Sequence, residues 1–467
     1  MKAISLNEIN YMTRDPESVL AAHLVAMQDR PLAQATRDRL AQAMLDWFTA
    51  GWSAIGMAGA TALRQLAAAS MPGQGTAPVF GGASMQPLAA GFANAGIAHL
   101  REIDDAHRAA MLHPGVVAIS PVMALAAVQA MPMRRVADAI IAGYEVALRV
   151  GEALGTRHAA GFHATATAGC VGAAAASAVA LGLPQAQLHH AMGIAATQSA
   201  GLWQLVDDEA HESKSLHPAF AVRNGMTAAW AAQAGFPGAR AFVTGRRGLY
   251  ALLAGDGPLA ALDGELDAPE RLNSATIKAW PCCAQLFTPL DATREIMDRH
   301  RPAPQEIESV DVVIFPHALK IAGVHWPSKA AETPFSLRYV VATLLSKGRL
   351  GIEDMEAPDL HSPALLALAE RVRVSTHDGF QQAFPQKRPA RVTIMMKDGR
   401  SFEALRELRR GDPEDPFDWP QLQARMRAFA PAMTDAQADS LSRWCAAFAD
   451  ATRDDDPCLP SPELFGR

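Results

Sequence analysis

Between Phe162 and Gln185 the chain carries no acidic or basic residue other than His163. A helix without charge on any side is a buried helix rather than an amphipathic surface one. The stretch Gly161–Leu183 is long enough to span a bilayer, but it is mostly Ala, Gly and Thr and reads as a packed core helix. Two more small-residue segments follow, PQAQLHHAMGIAATQSAGLWQ and, past a short acidic loop, SKSLHPAFAVRNG. A polar cluster announces each of the three: His163 with Thr165 and Thr167, Gln198 with Ser199, and Lys214 with His217. Polar groups at the mouth of a core helix are costly unless they bind something.

The same reading extends along the chain. ESVLAAHLVAMQ, LAQATRDRLAQAMLDWFTAGWSAI and TALRQLAAAS space their apolar residues as helices do. A glycine-rich turn, MPGQGTAPVFGGAS, precedes a small-residue helix over 87–100. The polar loop REIDDAHRAAMLHPG, two more helices and the three central segments complete a helical region that ends with GARAFVTGRRGLYALLAG. Near Asn273 the character changes. SATIKAW reads as a strand, PCCAQLFTPLDATREIMDRH as a turn and helix, and IESVDVVIF as a strand. PFSLRYVVATLLSKG and ALLALAERVRV read as helices, and ARVTIMMKDGRSFEALR as two strands around Asp398-Gly399. From Trp419 to Arg453 the pattern is helical again, and DDDPCLPSPELFGR reads as a loose tail. The expectation is a mainly α protein. A large all-helical domain, residues 1–272 completed by 412–467, accompanies a smaller α+β lid domain over 273–411.

At 467 residues the chain exceeds one ordinary hydrophobic core, which agrees with two domains. A net charge of −6 leaves no basic footprint for nucleic acid, so an anionic substrate needs a locally positive pocket. Five irregularly spaced cysteines do not make a disulfide framework and suit a reducing, cytoplasmic setting. MKAISLNEINYMTRDPE has acids and no apolar stretch, unlike a signal peptide. Neither GxxxxGK[ST] nor a strand-framed GxGxxG is present, so nucleotide binding has no support.

Several residues suit acid–base or anion chemistry. His163 opens the buried helix with Thr165 near its cap, where free N–H groups favour a bound anion; the plain alternative is a capping histidine. Lys214 and His217, three apart, share one side of a helical turn, as an anion clamp or as a solvated helix entry. Asp104, Asp105, His107 and His113 share one loop and suit a proton-transfer network, a divalent metal or a solvated loop; their spacing is not diagnostic of a metal. Arg246 lies in Gly245–Gly248, where two guanidinium groups between glycines either grip carboxylates or pin a loop. Cys282 and Cys283 read as buried, inert thiols, Lys278 as a strand-end lysine, and Tyr339 as a core residue by periodicity.

Five ordered segments, GFHATATAGCVGAAAAS, KSLHPAFAVRNGMTAAWAAQAGF, GRRGLYALLAG, IKAWPCCAQLFTPLDA and FSLRYVVATLLSKG, resemble the MmgE/PrpD family. That family includes 2-methylcitrate dehydratase, cis-aconitate decarboxylase and iminodisuccinate epimerase. The likeness runs from about Leu40 to Phe448. It implies a homodimer, a cleft site between domains, a small di- or tricarboxylate substrate, and catalysis without an organic cofactor or metal. The net charge and the small-residue make-up of the 161–183 run lead to no expected nucleic-acid or membrane partner. Carried onto this sequence, the resemblance makes Asp104 and Asp105 the loop acids, Asp104 to position His113 or a lysine and Asp105 to meet the substrate, and makes His113 and His163 the proton-transfer groups. Lys214 and Lys278 become carboxylate and enolate stabilisers, and Tyr339 an orienting hydroxyl or proton relay. His107, Thr165, His217 and Arg246 are expected on the substrate. The chain departs from the family pattern at Ala106, Phe287 and Arg338.

The activities named share one demand: negative charge develops on a carbon next to a carboxylate and must spread into an enolate. The reading is a lyase on a small hydroxy-polycarboxylate, a hydro-lyase first. A carboxy-lyase, an epimerase and a non-catalytic carboxylate-binding protein are the alternatives.

Overall fold

A computed structural model describes residues 15–451 and 461–466, apart from residues 29, 130 and 269. Cys458, the first fourteen residues and most of the tail expected to be loose lie outside the described residues. The protein is mainly α, and its chain divides into two compact units: Met1–Ala275 with Ala430–Arg467, and Thr276–Phe429. Among the described residues no helix is long and apolar enough to cross a membrane.

The larger unit contains α1 (Pro16–Gln28), α2 (Gln34–Ala54), α3 (Ala58–Ser70), α4 (Pro87–His99), α5 (Pro114–Ala126), α6 (Met133–Gly161), α7 (Ala164–Ala180), α8 (Gln185–Ala196) and α9 (Leu216–Gln233). The glycine-rich turn holds a small antiparallel hairpin, β1 (Ala77–Val79) and β2 (Gly82–Met85). All 17 residues of α7 are buried, because α5, α6, α8 and α9 pack around it. Its lack of charge follows from having no solvent-facing side. Small residues let the neighbours come close: a Cβ on Gly225 of α9 would lie 2.7 Å from the Cβ of Ala173 in α7.

The smaller unit is built on a four-stranded sheet of β3 (Ile307–Ile314), β4 (Val372–Thr376), β5 (Ala390–Met396) and β6 (Ser401–Arg406), in the order β4-β3-β5-β6. β3 pairs parallel with β4 and antiparallel with β5. The helices α10 (Phe287–His300) and α11 (Leu337–Lys347) pack against the sheet, and α12 (Trp419–Phe429) ends the unit. The chain then enters α13 (Asp435–Ala451), which packs on α2 in the larger unit.

Two local expectations fail. Ser274–Trp280 is not a strand; the Ile277 N–H finds a single partner, the Gly411 carbonyl, and no ladder forms. ALLALAERVRV is not one helix. A helix over Pro363–Ala369 stops, and Val372–Thr376 switches to a period of two and pairs beside β3. The end of the chain also departs from a loose tail. Phe465 is 1% exposed and its ring meets Trp47, Phe48 and Phe80.

Candidate active site

Four imidazoles converge in the larger unit, each brought by a helix end. His99 is the last residue of α4, His113 and His163 stand immediately before α5 and α7, and His217 lies in the first turn of α9. The His99 ring centroid is 4.6 Å from that of His113 and 5.6 Å from that of His163, and His163 is 5.2 Å from His217.

Asp104 organises two of them. Its Oδ2 lies 2.9 Å from His99 Nδ1 and 3.2 Å from His113 Nδ1. Burial alone would raise the Asp104 carboxyl, but the attraction of His113 and His99 outweighs it and holds the group well below the usual carboxylate range. The carboxylate accepts Nδ1–H from His99, which leaves the His99 Nε2 as its exchangeable nitrogen, and it stands within ion-pair distance of His113 Nδ1.

The next residue faces a different task. Asp105 Oδ1 accepts the Gly115 N–H at 2.8 Å and its Oδ2 accepts the Tyr144 hydroxyl at 2.7 Å. Asp105 thereby ties the loop to the start of α5. Burial, and then the charge on Asp46, push its carboxyl up to about 7. This packing explains the glycine after His113-Pro114: a Cβ on Gly115 would lie 2.7 Å from Asp105 Oδ1. The loop is held at both ends by non-glycine residues in the left-handed region, Glu102 and Met111, each at φ 52°. Such backbone persists only where its surroundings over-determine it.

His163 is 2% exposed. Burial, reinforced by Lys214, His99, His113 and His217, holds its imidazole well below the usual range, so it is neutral. Its Nδ1 lies 3.0 Å from His217 Nδ1, a contact that needs one proton between the two rings. Burial, with His99 and Lys214, lowers His217 to about 4. The His163 backbone N–H donates to the Gly201 carbonyl, and Gly201 adopts φ 138°, where a Cβ would sit 2.5 Å from Ala166. That turn brings Trp203 against His163, with ring centroids 4.7 Å apart. The Lys214 ammonium, in the short helix His211–Ser215, pairs with Glu102 and lies 5.8 Å from the Trp203 ring centroid.

Of the residues singled out in the sequence, Asp104, His113, His163, Lys214 and His217 therefore meet. Thr165 is close by in another role, its Oγ1 accepting the His113 backbone N–H at 3.0 Å. His107 is turned to the protein: its Nδ1 accepts the Ala110 N–H and its Nε2 contacts Ser274 Oγ at 3.1 Å. Arg246 is exposed in its turn. Lys278 and Tyr339 belong to the smaller unit. Lys278 is 4% exposed, and its carbonyl accepts from Arg425 Nε. The Tyr339 hydroxyl donates to the Asp354 carbonyl, and burial pushes it up to about 12.

The sequence pattern does not single out His99, Glu102 or Trp203. The available signal for His99 was a lone histidine ending the uncharged helix GFANAGIAHL, five residues before Asp104. The group suited to a metal also differs from the loop set considered from spacing. His99, His113 and His163 each offer a ring nitrogen, and these nitrogens lie within 4.8 Å of one another.

The larger unit thus gathers the buried Asp104 carboxylate, four imidazoles and the partly exposed Lys214 ammonium group at one place. The MmgE/PrpD N-terminal domain matches residues 18–261 and the MmgE/PrpD C-terminal domain matches residues 280–446, so the chain belongs to the MmgE/PrpD family. It is 25% identical over 382 residues to a cis-aconitate decarboxylase-like protein of Aspergillus oryzae, covering 75% of this chain and 77% of that one. A cis-aconitate decarboxylase of Aspergillus terreus is 25% identical over 380 residues, 76% of each chain. The Mus musculus cis-aconitate decarboxylase is 24% identical over 285 residues, 58% of this chain and 56% of its own. Family and relatives together support an enzyme of lyase type.

Proposed function

We propose that the protein is a lyase acting on a small di- or tricarboxylate through a carbanion stabilised as an enolate. The observation that carries this reading is the Asp104 carboxylate shared by His99 and His113 beside the neutral His163 and Lys214. Lys214 holds the carboxylate next to the reacting carbon, which takes the place of Glu102 on the ammonium group. As charge flows into that carboxylate, a fixed cation in a buried site stabilises it more than water would. His113, backed by Asp104, carries a proton on Nδ1 and exchanges another at Nε2. His163, kept neutral, acts as acceptor or hydrogen-bond donor.

The relatives favour decarboxylation of an unsaturated tricarboxylate such as cis-aconitate. The C–CO2 bond breaks, its electron pair passes into the enolate, and the His113 Nε2 proton closes the new C–H bond. Dehydration of a hydroxy-polycarboxylate of the 2-methylcitrate type is the second reading. A carboxylate-backed imidazole next to a neutral one favours it, because elimination of water needs an acid and a base together. The family resemblance supports a homodimer, which light scattering checks.

Incubation with cis-aconitate followed by CO2 release, and with 2-methylcitrate followed by ultraviolet absorbance of a conjugated alkene, separates the two. Lys214→Ala should reduce kcat/KM on the turned-over substrate by roughly 100-fold or more, with little change in Tm. A folded wild-type protein that binds these carboxylates and turns none over would reject the enzyme and leave a carboxylate-binding protein.

A further inference from the structure

We propose that His99, His113 and His163 form a binding site for one divalent transition-metal ion of the zinc class, and that its occupancy takes these imidazoles out of proton transfer. The inference goes beyond the proposed reaction and holds whichever reaction the cluster performs. Three imidazole nitrogens are a donor set for zinc, copper or nickel, not for magnesium or calcium, which take oxygen ligands. The three nitrogens lie within 4.8 Å of one another. Around a zinc ion with nitrogens at 2.0–2.1 Å, neighbouring ligands stand about 3.3 Å apart, so modest side-chain rotation closes the set.

Two further observations point to a ligand. His99 is 1% exposed, and its Nε2 is buried with no hydrogen-bond partner. An orphaned polar atom in such a place is costly unless something occupies the space beside it. Asp104 also stands where metal sites place their supporting carboxylate. Its Oδ2 accepts from His99 Nδ1 at 2.9 Å, which leaves the His99 Nε2 for a metal, and lies 3.2 Å from His113 Nδ1. A carboxylate behind a ligating imidazole orients the ring and raises its basicity. His163 supplies the third ligand, its Nδ1 standing 3.0 Å from His217 Nδ1. Three protein ligands leave a fourth position for water or a carboxylate. The bound ion takes the nitrogens of His113 and His163 and so removes them from proton transfer.

The test uses the full, untagged chain after treatment with EDTA and dialysis. Zinc chloride is titrated calorimetrically, and cobalt(II) by its visible absorption bands. One ion per chain with micromolar or tighter affinity is expected. His99→Gln and His163→Gln should each abolish this binding or weaken it at least tenfold, and Asp104→Asn should weaken it about 10–100-fold. His189→Gln, in α8 away from the cluster, should bind as wild type. Circular dichroism checks folding; if His99→Gln does not fold, His163→Gln and Asp104→Asn decide. Absence of stoichiometric binding by wild type, or binding undiminished in the folded cluster variants, overturns the site.

Discussion

Buried histidines in this protein serve two different ends. His158 is a packing group. One ring nitrogen lies 2.8 Å from the Leu253 carbonyl and the other 2.8 Å from Thr167 Oγ1, while Phe162 stacks on the ring. A carbonyl can only accept, so Nδ1 carries the hydrogen and Nε2 accepts from Thr167. Burial lowers the His158 imidazole below its usual 6.5, against the opposing pull of the Leu253 carbonyl and Asp256. The sign follows from linkage. As pH falls, the unfolded chain takes up this proton first, so the stability due to neutral His158 is complete above about 6.5 and is lost on further acidification. His158→Gln should melt lower than wild type near pH 8, yet lose less Tm between about pH 7 and pH 5. Parallel slopes for the two proteins would remove His158 from the acid response. The cluster histidines, by contrast, face one another and a shared carboxylate. Residue types and their order were enough to single out Asp104, His113, His163, Lys214 and His217. The expected mechanism set Asp104 behind His113 and Asp105 on the substrate, whereas Asp105 is spent on the Gly115 N–H and the Tyr144 hydroxyl. One reaches two imidazoles and the other an amide and a phenol, and only the path of the loop decides which.

At the scale of elements, α7 shows why an uncharged sequence is legible. A helix enclosed on every side can carry no charge at tolerable cost, so composition alone reports its environment. Close approach of its neighbours sets a second condition. Gly225→Ala places a methyl 2.7 Å from both Ala173 Cβ and the Ala174 backbone nitrogen. Overpacking of this kind costs about 1–3 kcal/mol, since α7 and α9 must separate. Chemical denaturation should show that loss, and an unchanged midpoint would mean the two helices have slack. VRVST shows the opposite limit. Its five residues follow a helix without any turn signal, and β3 decides that they pair as a strand. Short apolar runs take their state from the neighbour they find.

The whole molecule depends on chain ends that local pattern undervalues. Residues after 430 belong to the same unit as the first helices, and Phe465 fills an aromatic cluster with Trp47, Phe48 and Phe80. The Phe465 carbonyl also accepts the Gly81 N–H at 2.7 Å. Phe465→Ala should therefore cost about 3–5 kcal/mol, the range for removing a buried aromatic ring, although it lies in the last residues of the chain. A thermal shift no larger than for a surface substitution would show that the ring contributes little.

Composition and period by themselves determined that the protein is mainly helical, that one helix is enclosed, and that a mixed α+β segment is set within it. Those properties follow from burial and hydrogen bonding along contiguous residues, which a linear pattern records. Tertiary structure alone decided that His99 joins His113 on one carboxylate oxygen, that His163 is kept neutral, and that Glu102 and Trp203 frame Lys214. Each of these depends on groups brought together by separate helix ends, and a distance of that kind has no counterpart in the order of residues.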